Sequence, residues 1–502
     1  MPHIRHLPAV SLVILLACSE SPEAPSAPME PATATAAESV TIPSFVQVSG
    51  GNEHSCGLTP ASRVLCWGVG MFGDGNGFIY DPRPPVPVYG NRSFRQVSSG
   101  YSHTCALTAD NHLFCWGRNF FGELGDGTLI DRVKPTRIGG TRLFRQVDAG
   151  RSHTCAIAAA DNQAWCWGDN TSGKLGDGTT TDRLAPVLVA GGRQLRQIAV
   201  GDNHTCAITT AGKAFCWGSD QTGQIGNGAG VTNRTTPTAV SGSVVFRQLA
   251  SMWDHTCGVT AEGRAYCWGS NLSGQLGDGS RTTRFAPRQV AGGVHFDRVS
   301  VGAGHSCGES AANQAWCWGA NNQGQLGDGT RTDRLTPAAV TGGIVFAQVS
   351  TGSAHTCGVA TNGVAYCWGW NQGGQLGDGT IASRSTPVPV SQTDGVHRAS
   401  TTVIETDDPD PSAPGSPVTV RYAVLSDPTI VDGRAPTGQV AVTGGADSCT
   451  GGLTVSSVGT VTVARGSCTL TLGTAGQVTL SATYSGDETF FGSSDSETHL
   501  VQ

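Results

Sequence analysis

The chain has 502 residues, 70 of them glycine, and only 14% are charged; that composition suits turns and short strands and excludes helical bundles and disordered acidic chains. The formal charge is −7 and the only lysines are Lys134, Lys174 and Lys213. No basic face is available, so no nucleic-acid partner is expected.

At the N-terminus, Arg5 precedes the apolar run Leu7 to Ala17, which is too short to cross a bilayer as a helix. The run ends Leu15-Leu16-Ala17-Cys18, and this tetrapeptide resembles the lipobox of bacterial lipoproteins. The resemblance implies a signal peptide over 1–18, acylation of Cys18 and a membrane anchor, to which each buried CH₂ contributes about 0.8 kcal/mol. An ordinary secretory peptide is the alternative, and both readings export the chain. Ser19 rather than aspartate follows Cys18, which by resemblance to enterobacterial sorting favours the outer membrane or cell surface. Residues 19–44 are Pro, Ala, Ser, Thr and Glu with almost nothing to bury, and they read as a disordered tether.

From Phe45 to Gln392 the chain repeats itself seven times with a period of about fifty residues, the units starting near Phe45, Phe94, Phe144, Leu195, Phe246, Phe296 and Phe346. Each unit holds four short β-prone runs separated by glycine-rich turns. One small four-stranded sheet cannot bury both of its faces, whereas stacking the units radially and closing the ring does so. The expected fold is therefore all-β, a seven-bladed propeller over 45–392. Gly-x-x-His-(Thr/Ser), Trp-Gly and Gly-Gln-Leu-Gly-(Asp/Asn)-Gly recur in register, and on these motifs the region resembles the regulator of chromosome condensation repeat family. The resemblance implies a propeller used as a protein-interaction platform, in bacteria sometimes as an inhibitor.

Fourteen of the 17 cysteines fall two per repeat: Cys56/Cys66, Cys105/Cys115, Cys155/Cys166, Cys206/Cys216, Cys257/Cys267, Cys307/Cys317 and Cys357/Cys367. The members of each pair sit on antiparallel neighbours joined by a short turn, and an exported chain meets an oxidising compartment, so seven disulfides are expected. Metal ligation needs three or four converging ligands, and pairs spread round a ring do not supply them. Cys449 and Cys468 are expected to form an eighth bridge.

The repeated histidines (His54, His103, His153, His204, His255, His305 and His355) are read as structural, bonding the same backbone turn seven times. Gly125-Asp126-Gly127 and its copies are turns in which the aspartate bonds its own backbone, not phosphate or calcium loops. The repeated tryptophans are core. No nucleophile with a base and no metal or cofactor site stands out, so a non-enzyme without cofactor is expected.

Function in a repeat scaffold lies where the copies differ. The first and third inter-strand loops emerge on one face, and their variable positions include Tyr101, Arg151, Asp202, Trp253, Asp254, Phe120, Phe121 and Trp370. Repeat one is shortened and places Met71 and Phe72 there, with Phe78 and Tyr80 beyond. Trp370, Met71, Phe72, Tyr101, Phe120 and Phe121 are predicted to form an apolar binding arc, with Arg151 and Trp253 also on the face.

After Gln392 the period ends. Residues 393–414 read as a linker or first strand, and the alternating runs of 415–502 as a small β-sandwich. Ala482-Thr-Tyr-Ser-Gly-Asp-Glu-Thr-Phe and Pro436-Thr-Gly resemble bacterial immunoglobulin-like (Ig-like) domains. The whole is expected to be a monomeric, non-catalytic cell-surface scaffold for an unidentified protein partner. Alternatives are GTPase binding of the nucleotide-exchange type, inhibition of a secreted enzyme, or a propeller hydrolase or lyase.

Overall fold

The computed structural model describes residues 43–90, 92–391, 400–426, 439–458, 461–484 and 493–502. The signal peptide, Cys18, nearly all of the tether, Pro436 and Ser485–Phe490 lie outside them, and so does the Tyr80 side chain.

Between Gln47 and Pro389 the described chain forms seven four-stranded antiparallel sheets, each made of four consecutive strands. In the second, these are Phe94–Ser99, His103–Thr108, Leu113–Gly117 and Arg132–Ile138. The His103–Thr108 strand is buried at every position, as a strand covered on both faces must be. The cover is the neighbouring sheet. Leu107, Leu113, Leu124 and Ile138 of the second blade-like sheet pack with Phe144, Val147, Ala156 and Trp167 of the third. Phe45, Val48, Leu65 and Trp67 of the first sheet pack in the same way with Val359, Ala365, Leu376 and Val390 of the seventh. All seven repeat tryptophans are fully buried, as the sequence indicates.

Glutamines clasp each sheet to the next. The Gln96 side chain donates to the Val147 carbonyl (2.8 Å) and accepts from its N–H (3.4 Å). Gln47, Gln146, Gln197, Gln248 and Gln348 make the equivalent pairs, the last reaching Val48 of the first sheet. A buried peptide group left unpaired costs about 1–3 kcal/mol, so these clasps fix the spacing of the first strands. Those strands line one shared cavity of about 260 Å³.

The histidines form a second circuit, with a partner other than the expected backbone turn. His103 Nε2 lies 2.8 Å from Thr154 Oγ1 of the next sheet, and the pattern runs through to His355 and Ser55 (2.8 Å). Thr154 Oγ1 donates its proton to the Glu123 carbonyl at 2.8 Å, so it must accept from His103, which fixes the Nε2–H tautomer. Burial drives all seven rings neutral, with pKa values of about 3 to 4 wherever a value is resolved.

Each cysteine pair is directly opposed in the ladder, Cys105 to Cys115 for example. Cys56–Cys66, Cys105–Cys115, Cys155–Cys166, Cys206–Cys216, Cys257–Cys267, Cys307–Cys317 and Cys357–Cys367 are all disulfide-bonded, with Cα atoms 4.0–4.1 Å apart. Glycine is enforced at Gly125, where φ is +78° and a Cβ would lie 2.5 Å from Trp167 Nε1. Asp126 accepts from the Thr128 N–H (3.0 Å), as expected for a turn, and also pairs with Arg132 at 2.6 Å.

The C-terminal segment forms two four-stranded sheets. One orders Ser400–Asp408, Pro417–Ser426, Val461–Thr471 and Thr454–Val458; the other orders Asp447–Gly452, Gln439–Gly444, Gly476–Tyr484 and Ser493–Val501. The first strand lies inside the 393–414 stretch. Val420, Tyr422, Val442, Leu470 and Leu480 share one core, and the Cys449–Cys468 disulfide joins the two sheets, contributing about 3 kcal/mol by chain entropy.

Candidate functional site on the loop face

Phe72 does not join the predicted arc. Phe72 is buried, 1% exposed, in a core cluster with Trp116. It occupies the place of Leu124: Phe72 precedes Gly73-Asp74-Gly75 as Leu124 precedes Gly125-Asp126-Gly127. A Cβ on Gly73 would lie 2.8 Å from Trp116, just as Gly125 abuts Trp167. Five repeat tryptophans donate Nε1–H to a carbonyl of the preceding blade's third loop, as Trp167 does to Glu123 at 3.0 Å. Trp116, which faces the shortened loop, and Trp217, which faces the loop of Lys174, have no such acceptor. Met71 and Trp370 are half-buried.

The blade cysteines are structural and stand apart from any binding surface. Cys66, Cys216, Cys267, Cys317 and Cys367, like Cys115 and Cys166, are fully buried on the third strands, inside the apolar clusters that join blade to blade. Their bonded partners on the second strands are equally buried, and none of the fourteen lines the central cavity. Each bridge holds together the two strands that carry the first and third loops.

The remaining residues fall into two groups. The first is a chain along the rim of the central cavity. Arg151 lies over the Tyr101 ring (5.0 Å) and 3.5 Å from Asp202 Oδ2, and the Asp202 N–H points to the Trp253 carbonyl at 3.4 Å. Four successive blades thus place Tyr101, Arg151, Asp202 and Trp253 side by side, while the other three carry Ala303, Ser353 and Asn52. Half the rim is large and charged, and half is small.

Local sequence explains the position of Trp253. Six blades have glycine just before this rim position; at Gly100 a Cβ would lie 2.4 Å from the Gly150 carbonyl oxygen. The fifth blade has Met252 there. Its first strand runs on to pair Met252 with His255, and Trp253 takes φ +49°.

Lys174 is a second exception. The first blade has Met71 at its position and the other five carry Gln or Glu, accepting a loop N–H as Gln275 does from Ser273 at 2.9 Å. A lysine cannot accept the corresponding Ser172 N–H; Asp169 accepts the N–H of the neighbouring Thr171 (2.7 Å), and Lys174, fully buried, pairs with Asp169 at 2.6 Å. The Asp169 carboxyl is thereby held well below the usual range against its own burial. Burial pushes Asp202 up to about 6 despite Arg151, and it also raises Asp254.

The second group lies on the third loop of the second blade. Arg118 is stacked between Phe78 (4.6 Å) and Phe120 (5.2 Å). Phe120, Phe121, Leu129 and Ile130 are 45–61% exposed. Asn119 ties the two limbs of the loop together by donating to the Thr128 and Ile130 carbonyls at 3.0 and 3.1 Å. Leu129 and Ile130 were missed in the sequence, although Thr180-Thr181 and Arg331-Thr332 are their polar counterparts.

A third constellation lies in the C-terminal unit. Ser412 Oγ is 2.8 Å from His499 Nε2, His499 Nδ1 is 2.5 Å from Asp407, and Asp410 completes a group whose ligand atoms lie within 4.8 Å of one another. Its order is that of a nucleophile, a base and an orienting carboxylate. Ser412 is 2% and His499 0% exposed, so the hydroxyl does not meet solvent. The trio fastens Ser412 to the terminal strand, where the Ser412 N–H also donates to the Leu500 carbonyl at 3.0 Å.

Blade-like sheets around a common cavity, clasped by glutamine and histidine circuits, define a repeat protein of the propeller class. The chain belongs to the RCC1-like domain family: residues 19–308 match the RCC1-like domain, and residues 313–359 and 362–403 match the regulator of chromosome condensation (RCC1) repeat. Over 125 residues it is 33% identical to the Ultraviolet-B receptor UVR8 of Arabidopsis thaliana, a match covering 24% of this chain and 28% of that receptor's length. Among solved structures, Prp20p of Saccharomyces cerevisiae superposes with a TM-score of 0.59 at 21% identity, covering 72% of this chain and 89% of that one. Human WBSCR16 gives 0.57 at 21% identity, covering 64% and 88%. These likenesses concern the fold.

Proposed function

We propose that the chain is an exported, non-catalytic interaction scaffold: a closed seven-bladed propeller followed by an Ig-like sandwich, tethered to a bacterial outer membrane or cell surface through a lipid on Cys18. The eight disulfides fit an oxidising environment. Among the described residues no helix is long and apolar enough to cross a membrane.

The observation that carries the binding role is the second blade's third loop. Phe120, Phe121, Leu129 and Ile130 are all exposed on one loop, where the third and sixth blades carry Thr, Ser, Asn, Gln and Arg. The fold does not require apolar residues there, and leaving them about half in water forgoes roughly 1 kcal/mol per side chain that a partner's surface would recover. Arg118 between two aromatic rings adds the arginine and aromatic character of an interface hot spot.

The test is capture from the native cell envelope by residues 19–502 with Cys18 removed. Wild type should retain a specific protein that a Phe120→Asp/Phe121→Asp variant of equal thermal stability does not. Equal capture by both removes the patch as the binding surface.

A further inference from the structure

The mouth of the central cavity is chemically separate from the apolar loop, and its charges do not balance. Asp202 lines the cavity and is only 3% exposed, yet its Oδ2 has no hydrogen-bond partner. The cation nearest that oxygen is Arg151 at 3.5 Å, whose side chain is 48% exposed. A second carboxylate, Asp254, accepts from Gln224 Nε2 at 3.2 Å. Lys174 donates to the Asp202 carbonyl oxygen at 3.2 Å and lowers the Asp202 carboxyl, but its charge is shared with Asp169, 2.6 Å away. Three carboxylates, Asp169, Asp202 and Asp254, thus stand against two cations, Arg151 and Lys174. Arg298 also lines the cavity, but it lies five residues before the rim residue Ala303, roughly 17 Å along the strand. Asp148, the other acid in the wall, already accepts from the Ser98 hydroxyl and the Val200 N–H, at 3.0 and 2.8 Å.

A buried carboxylate oxygen without a donor is expensive unless something supplies the proton or the charge. Tyr101 on one side already carries a cation over its face, and Trp253, whose carbonyl lies 3.4 Å from the Asp202 N–H, has a buried indole N–H with no acceptor. The cavity of about 260 Å³ admits a single side chain or small amine, not a folded segment. The small half of the rim, Ala303 and Ser353, leaves it open.

We propose that this mouth binds the alkylammonium group of a lysine side chain, held by the carboxylates of Asp202 and Asp254, with Arg151 as the internal cation that it displaces. A peptide carbonyl next to that lysine would meet the Trp253 indole N–H. Burial holds Asp202 near 6, with Asp254 raising it further and Arg151 and Lys174 opposing. Binding therefore strengthens as pH rises through that value and Asp202 ionises.

The test uses Nα-acetyl-lysine amide as ligand and Nα-acetyl-norleucine amide as its uncharged counterpart, titrated into residues 19–502 by calorimetry or ligand-observed NMR at pH 7.5. The lysine compound should bind, the norleucine compound should not, and Asp202→Asn should weaken binding at least about tenfold. Asp254→Asn should weaken it less. Arg151→Ala should strengthen it, an outcome that general damage to the fold does not produce. A Phe120→Asp/Phe121→Asp variant should bind the lysine compound as wild type does, which separates this site from the apolar loop. The proposal is overturned by equal binding of both compounds, by unchanged binding in Asp202→Asn, or by no binding up to about 10 mM.

Discussion

Arg298 and Glu309 face each other across the first two strands of the sixth blade, and together they replace the glutamine clasp found at the other six joints. Where six blades place glutamine, the sixth has Arg298; where the others place a buried aliphatic residue such as Leu107 or Val359, it has Glu309. The Glu309 carboxylate accepts the Val349 N–H that a glutamine would otherwise accept. Burial raises Glu309 to about 7. Its folded pKa lies above its unfolded value, so its contribution is fully present below about pH 4.5 and is lost as pH rises through 7. Glu309→Gln should therefore raise stability at pH 8 by about 3 kcal/mol, and the gain should vanish near pH 5. Glu309→Leu should cost about 1–3 kcal/mol by stranding the Val349 N–H, and Arg298→Gln added to it should restore the loss. Denaturant titrations of wild type, Arg298→Gln, Glu309→Leu and the double variant complete that cycle.

The histidine circuit sets the acid limit. All seven rings have depressed folded pKa values, so the unfolded chain binds more protons below about pH 6.5 and the histidine contribution is lost as pH falls. Asp148, Asp202, Asp220, Asp254, Glu123, Glu309 and Glu497 have raised values and act in the opposite sense, but most of the histidines, all fully buried, carry the larger shifts. Thermal midpoints should fall between pH 6.5 and 4.5; a rise over that interval would mean the rings are charged in the folded state.

The disulfides yield a mass measurement. Alkylation of the denatured, unreduced ectodomain lacking Cys18 should modify no cysteine, and alkylation after reduction should modify sixteen. Each intra-blade bridge should contribute roughly 2–3 kcal/mol, which loss of Cys155 and Cys166 together would expose.

Phe72 and Phe120 make a contrasting pair. Phe72→Ala removes a fully buried ring and should cost about 3–5 kcal/mol. Phe120→Ala, at a site 60% exposed, should change stability by about 0.5 kcal/mol or less. Equal effects would show that the two residues share one environment, as the predicted arc assumed.

That contrast also marks what was legible in the sequence. The blades, the opposed cysteines and the buried tryptophans follow from a period visible in the letters, because each is fixed by neighbours within one repeat. Phe72 was misread because repeat one is shortened; counting back from Gly73-Asp74-Gly75 places it in the core. The Arg298–Glu309 exchange and the histidine-to-hydroxyl circuit depend on register between successive blades, which the repeat period alone does not reveal. Ser412 and His499 are 87 residues apart, and only the pairing of strands in the C-terminal unit brings them together. Lys174 and Asp169 compensate for one another, so neither looks irregular until both are compared with the other blades.

The central claim is that the loop face holds the partner. Hydrogen–deuterium exchange on the captured complex tests it most directly. Protection should concentrate in residues 118–131 and the adjoining rim, with the opposite turns around Asn111 and Asn162 exchanging as in the free protein. Protection confined to those opposite turns, or to the C-terminal sheets, would contradict the account.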